Sequence, residues 1–92
     1  MARARVKSKC TRRFWKLYGA LPKHVQLRAD KAYALWKSDH SHRSLDFKKL
    51  KGGAGSRFSV RIGDHHRSVG QLVGDTVEWV WIGSHEDYNN LV

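Results

Sequence analysis

The chain has 92 residues and a formal net charge of +10, and 40% of it is apolar, including four Trp, three Tyr and three Phe. That length accommodates one hydrophobic core, and such an aromatic content excludes a disordered chain. No apolar run is long enough to cross a bilayer, the charged start Met1-Ala-Arg-Ala-Arg-Val-Lys7 lacks the apolar stretch of a secretory signal, and a lone Cys10 cannot close an intrachain disulfide.

Taken together these features describe a single cytoplasmic domain over residues 1–92. Ala4, Val6, Ser8 and Cys10 alternate with Arg5, Lys7 and Lys9, which predicts a short first strand. Thr11 is placed to cap a helix. Phe14, Leu17, Tyr18 and Leu21, at i, i+3, i+4 and i+7, mark one face of that helix, which ends near Leu21-Pro22. Pro22 suits the first turn of a second helix. Its buried stripe is Val25, Ala29, Ala32, Tyr33 and Trp36, and Lys23, Arg28, Asp30, Lys31 and Lys37 face water. Asp39-His-Ser-His-Arg-Ser44 breaks the pattern, after which Leu45, Phe47 and Leu50 place an extended segment against the core. Gly52-Gly-Ala-Gly-Ser56 is a loop. Three strands follow over 57–62, 67–73 and 76–82, with Gly63-Asp-His-His66 and Gly74-Asp75 supplying the turns. The run Thr76-Val-Glu-Trp-Val-Trp-Ile82 is apolar on nearly both faces, which places it in the middle of the sheet. Ser84 caps a final helical turn through His85, Tyr88 and Leu91. The predicted fold is α+β: a helical hairpin packed on a small, mostly antiparallel sheet, in the order β-α-α-β-β-β with a short C-terminal helix.

Charge is divided unevenly. Residues 1–51 hold fifteen Lys/Arg and three Asp, whereas residues 52–92 hold three Arg and five acids. A basic surface of this size attracts polyanions or an acidic protein. A membrane surface fits less well, because no basic helix carries a clean apolar face of inserting residues.

Two tempting motifs fail on spacing. Lys51-Gly-Gly-Ala-Gly-Ser-Arg57 is glycine-rich, but a phosphate-binding loop needs its Lys after the last Gly at the mouth of a helix, and here a strand follows. His40, His42, His65 and His66 have no cysteines at zinc-finger spacing. Two other groups carry more. Arg57 and Arg61 share one strand face with Ser59, since period two sends Phe58, Val60 and Ile62 to the other. Arg67 opens the next strand and joins that face if the turn holds an odd number of residues. Three guanidiniums on one hairpin can clamp a phosphate through forked donors; alternatively they are solvent-facing and pair with Asp64 or Glu78. His85 and Tyr88 lie at i and i+3 on the final helix, where imidazole can transfer a proton and the phenol can stack or act as an acid or base. The alternative for this pair is a helix cap and a core aromatic.

The order of segments resembles the RelE/ParE superfamily, toxins of type II toxin–antitoxin systems. The resemblance is carried by Arg12-Arg-Phe-Trp-Lys-Leu-Tyr-Gly-Ala-Leu-Pro22 after a first strand, and by Lys31-Ala-Tyr-Ala-Leu-Trp36. It continues in Ser44-Leu-Asp-Phe-Lys-Lys-Leu-Lys-Gly52, in Phe58-Ser-Val-Arg-Ile-Gly63 followed by Arg67, and in Trp81-Ile-Gly-Ser-His-Glu-Asp-Tyr88. It spans nearly the whole chain, and its specificity lies in the order and spacing of these motifs together.

What the resemblance implies is a ribosome-dependent endoribonuclease that cuts mRNA without a metal or other cofactor. The ribose 2′-hydroxyl attacks the adjacent phosphate and leaves a cyclic phosphate. Carried over by position, Arg61 and Arg67 are the basic strand residues, and His85 and Tyr88 are the C-terminal acid/base and stacking groups. Lys48, Lys49, Lys51 and Arg57 are the expected nucleic-acid contacts. The partners implied are a cognate acidic antitoxin, mRNA and ribosomal RNA, with no membrane and no small-molecule substrate. Ser59 departs from the pattern, standing where the ribonuclease members carry a second basic residue, so the general base is open among His85, His65 and His66. The superfamily also implies an alternative, a non-enzymatic inhibitor of DNA gyrase. A catalytically inert basic RNA-binding module is a third.

Overall fold

In the computed structural model, which describes residues 7–51 and 56–91, the chain runs β1 (Lys7–Cys10), α1 (Arg12–Gly19), α2 (Lys23–Ser38), a 3-10 turn (Arg43–Leu45), β2 (Lys48–Lys49), β3 (Ser56–Ile62), β4 (His66–Val73), β5 (Thr76–Ser84) and α3 (His85–Leu91). The five strands form one sheet in the order β1-β5-β4-β3-β2. β1 pairs with β5 in parallel, and the other pairings are antiparallel. The α+β architecture is the predicted one, with β2 as an added short edge strand. The expected glycine loop at 52–55 and the start of the expected first strand at 4–6 lie outside the described residues.

Local signals explain the helical layer. Thr11 caps α1 by accepting from the Phe14 N–H at 3.2 Å. Pro22 occupies the N-cap of α2, one position earlier than expected, with extended backbone that lets the helix start at Lys23. The two helices are tied by the Tyr18 hydroxyl, which donates to Asp30 Oδ1 at 2.7 Å. That bond, with some burial, pushes the Tyr18 phenol up.

One sheet face packs on this hairpin through Phe14, Ala29, Trp36, Phe58, Val60, Ile62, Val77, Trp79 and Ile82. Val25 is buried as well. Tyr33 departs from the predicted stripe: it stacks on Trp36 and meets Trp79 edge-on, yet stays exposed at the rim. Val80 is not part of this core and packs, half-buried, against the cluster on the other face. The β4–β5 register shifts between Val69 and Gly70, so that Gly70 faces Trp79 and Val69 faces Trp81. Val80 is the extra residue of that bulge, and the phase of β5 changes across it. Trp79 thus joins the helical side, where its ring lies over Gly70, which has no room for a Cβ. Trp81 joins the opposite side, packing with Val69 and Tyr88 and partly covered by Leu50. β5 is an interior strand flanked by β1 and β4, as its apolar run requires. The Lys9–Glu78 ion pair at 3.0 Å secures its contact with β1.

Candidate functional site

The β3–β4 connection decides which side chains meet. Ile62 pairs with His66, leaving Gly63, Asp64 and His65 as a three-residue turn with Gly63 at φ 62°. The odd count sets Arg61 directly opposite Arg67, and Arg67 in turn opposite Gly83 on β5. These positions lie on the sheet face away from the helical hairpin. α3 packs there through Tyr88, and the 46–50 segment borders it.

Arg67 is almost wholly buried, at 1% exposure. Its Nε and Nη2 donate to Ser59 Oγ at 3.2 and 2.9 Å. Nη2 also donates to the Asp46 carbonyl at 2.7 Å, and Nη1 donates to Asp46 Oδ2 at 3.1 Å. The guanidinium carbon sits 5.2 Å from the centroid of the Tyr88 ring. The Tyr88 hydroxyl lies 2.9 Å from Ser59 Oγ. A buried guanidinium is tolerable only with such partners, and here a carboxylate, a carbonyl, a hydroxyl and an aromatic face supply them.

Asp46 is the outward end of this network. It ends the 3-10 turn in the left-handed region, at φ 44° and ψ 56°, with its N–H on the Arg43 carbonyl. Asp is one of the few non-glycine residues that adopt this conformation readily, and it lets one residue turn both its carbonyl and its carboxylate to Arg67. The carboxylate remains 45% exposed, and Lys48 Nζ stands 3.9 Å from it. Neither Asp46 nor Ser59 was singled out from the sequence as a partner of Arg67. Their contacts depend on a backbone conformation and a strand register that no local pattern encodes.

The other expected residues are spread around this centre. Arg61 is exposed, its Nε donating to the Ser44 carbonyl at 3.3 Å. His85 is exposed at the first position of α3, its backbone N–H on the His65 carbonyl at 2.7 Å. Its Nδ1 is 3.3 Å from Asn89 Nδ2, and its ring centroid is 6.0 Å from that of Tyr88. Ser84 caps the helix by accepting from the Asp87 N–H at 3.1 Å. Tyr88 is buried at 5% exposure, so the core-aromatic alternative describes its ring, with the hydroxyl kept on Ser59.

Two geometric expectations need correction. The three arginines share a face but do not converge as an open clamp. Arg67 is buried and occupied, and Arg57 lies four residues from Arg61 along β3, about 13 Å at strand rise. The lysines expected to contact nucleic acid are also divided between the two faces. Lys48 pairs with Ser59 and flanks Asp46, whereas Lys49 pairs with Phe58 and takes the opposite face, beside Phe47. Strand alternation separates them. Lys51 is exposed at the end of the segment. The alternative pairing of the arginines with Glu78 is also not formed, since Glu78 is engaged by Lys9 and Gln71, which hold its carboxyl below the usual range.

His66 borders the same turn. Burial lowers its pKa, reinforced by the neighbouring charges of His65, His24 and Arg28. Among the described residues no three His, Cys, Asp or Glu side chains come together as a metal-binding group. No helix among them is long and apolar enough to cross a membrane.

A helical hairpin on a mixed five-stranded sheet, with a short last helix on the opposite face, defines the class of RelE-type toxin folds. The archaeal RelE of the RelE–RelB complex from Pyrococcus horikoshii matches with a TM-score of 0.69 at 18% identity, over 88% of this chain and 96% of that one. The RelB–RelE complex from Methanococcus jannaschii gives 0.70 at 20% identity, over 89% and 95%. The YoeB/ParE toxin from Agrobacterium tumefaciens gives 0.68 at 20% identity, over 86% and 98%. A search of curated proteins finds no significant sequence match. The family model of the ParE-like toxin domain matches residues 23–90. The chain belongs to this ParE-like toxin family, within the RelE/ParE superfamily.

Proposed function

We propose that this chain is the toxin of a type II toxin–antitoxin pair, silenced by a cognate acidic antitoxin, and that it is a ribosome-dependent endoribonuclease acting on mRNA in the cytoplasm. The observation that carries the reading is the buried Arg67, held by Asp46, Ser59 and Tyr88 beneath a rim bearing Arg61, Lys48 and His85. An in-line attack of a ribose 2′-hydroxyl on its phosphate gains most from positioning and from fixed charge near the developing oxyanion. Arg61, whose Nη groups have no partner among the described residues, would bind a phosphate oxygen with its forked end. His85 and the half-exposed Asp46 carboxylate would handle the 2′-hydroxyl and leaving-group protons. Arg67 acts as a positioning residue, a preorganised positive charge that orients Asp46 and Tyr88. The products would be a 2′,3′-cyclic phosphate and a free 5′-hydroxyl, with no cofactor in the balance.

One observation favours a second reading, the non-enzymatic gyrase inhibitor: the Arg67 donors and the Tyr88 hydroxyl are taken up inside the protein. Single-turnover cleavage of mRNA on programmed ribosomes, run beside a gyrase-dependent DNA-break assay, separates the two. Arg61→Ala should slow cleavage about 10²–10³-fold and His85→Ala about 10²–10⁴-fold. Both side chains are exposed, so folding should hold. Wild-type rates in both variants would leave the constellation structural. DNA breaks without RNA cleavage would establish the gyrase reading.

A further inference from the structure

We infer that Arg28, Lys31 and Arg61 form a second phosphate site, which grips an RNA backbone phosphate beyond the reacting one. The inference rests on the nuclease reading for the identity of its ligand. Arg28 and Lys31 lie at i and i+3 on α2, so they share a face of that helix. Together with Arg61, Ser44, Gly63 and Asp64 they line an open cavity of about 500 Å³ between α2, the 3-10 turn and the β3–β4 turn. Two of the cations are anchored. Arg61 is held through its Nε on the Ser44 carbonyl. The stem of Arg28 lies across the turn at Gly63, where a Cβ would stand 3.2 Å from Arg28 Cδ.

The charge at this place is uncompensated. Four described cations are held in ion pairs, Lys7 and Lys9 on β1, Lys48 on β2 and Arg67 on β4, and none of them lines this cavity. Among the described residues Arg28, Lys31 and Arg61 have no ion-pair partner, and Asp64 is the lone acid in the lining. His66, bordering the β3–β4 turn, has its pKa lowered mainly by burial, then by His65, His24 and, least, Arg28, so of the three cations Arg28 is the one it senses. Two forked guanidiniums and an ammonium around a cavity match the several acceptor oxygens of a phosphodiester. RNA is favoured over an acidic peptide because Arg61 belongs to both places. It stands opposite Arg67 in the proposed reaction row and also lines this cavity. A strand whose reacting phosphate sits at Arg61 therefore has its next charged foothold on α2.

His66 serves as a reporter through Arg28, whose charge contributes to its lowered pKa, so an anion bound beside Arg28 should raise it. The intact chain is titrated by NMR at His66, with His24 and His65 followed in parallel. Three probes are used: a 2′-O-methyl RNA hexanucleotide that cannot be cleaved, inorganic phosphate, and hexaglutamate. The hexanucleotide should raise the His66 pKa. Lys31→Gln and Arg28→Gln should each weaken its binding about tenfold, the loss of one charge-assisted contact, and lower the log–log salt slope by about 0.7 for a single strand. Lys37→Gln makes the same charge change on the same helix away from the cavity and should do neither. The inference is overturned if the hexanucleotide leaves His66 unmoved, or if Lys37→Gln weakens binding as much as Lys31→Gln. It also fails if hexaglutamate or free phosphate moves His66 and RNA does not. The His66 response without cleavage on ribosomes would sink the nuclease reading and keep the site, whereas cleavage without the response would sink the site alone.

Discussion

Asp46 offers the most discriminating single perturbation, because it contributes a charge and an unusual backbone conformation at once. Asp46→Asn keeps a residue that tolerates positive φ and retains a side-chain acceptor, while removing the negative charge opposite Arg67 Nη1. A hydrogen bond to a charged group contributes about 1.5–3 kcal/mol. Solvent at the half-exposed carboxylate screens it, which brings the expected loss to roughly 1–2 kcal/mol. For a chain of this size that is a fall in Tm of roughly 4–16 °C. Asp46→Gly loses the whole side chain but accepts φ 44° without strain. Asp46→Ala loses the side chain and adds about 1 kcal/mol for the left-handed backbone. Urea denaturation followed by tryptophan fluorescence should therefore rank the losses Asn, then Gly, then Ala. An Asn variant as stable as wild type would refute the claim that buried Arg67 depends on this carboxylate. Equal Gly and Ala variants would refute the backbone argument.

Other outcomes follow from the same geometry. Tyr88→Phe keeps the ring on Arg67 and removes the bond to Ser59, so stability should drop by about 1 kcal/mol, and a larger fall in cleavage than in stability would assign the hydroxyl to proton handling. Trp36→Ala empties the core beside Trp79 and should cost about 3–5 kcal/mol, enough to unfold a small domain by circular dichroism; a cooperative transition near the wild-type midpoint would contradict that packing. His66 has a lowered folded-state pKa, so the unfolded chain binds its proton first as pH falls below 6.5. Stability from this residue is complete above that pH and lost as pH falls towards the folded value, and His66→Gln should flatten the urea midpoint between pH 7 and 5. Parallel slopes for the two proteins would count against it.

How much was legible in the sequence depended on whether a local period carried the information. The helical hairpin, Thr11 as a cap, the Ser84-capped last helix and the three long strands all follow from spacing within a few residues. The parity of the β3–β4 turn, which sequence left open, was settled by Ile62 pairing with His66. What failed was non-local. The bulge that shifts the phase of β5 at Val80 is a mismatch between two strands, invisible in either alone. Arg67 read as a surface cation because its partners, Asp46 and Ser59, are 21 and 8 residues away. A basic residue opening a strand looks the same whether it faces water or a carboxylate. The resemblance supplied the fold and the family, but not the burial of its most conspicuous arginine.

The parallel pairing of β1 with β5 has a consequence for the order of assembly. Residues 7–10 find their partner strand only at 76–79, and Tyr88, which closes over Arg67, follows later still. On a chain emerging from its amino end, the hairpin helices and the β3–β4 ladder can form while β1 has no neighbour and Arg67 has no aromatic cover. Long-range closure of this kind is slow and comes last. The constellation around Arg67 is therefore incomplete throughout most of the chain's own synthesis, and it exists only once the last residues have folded back onto the sheet.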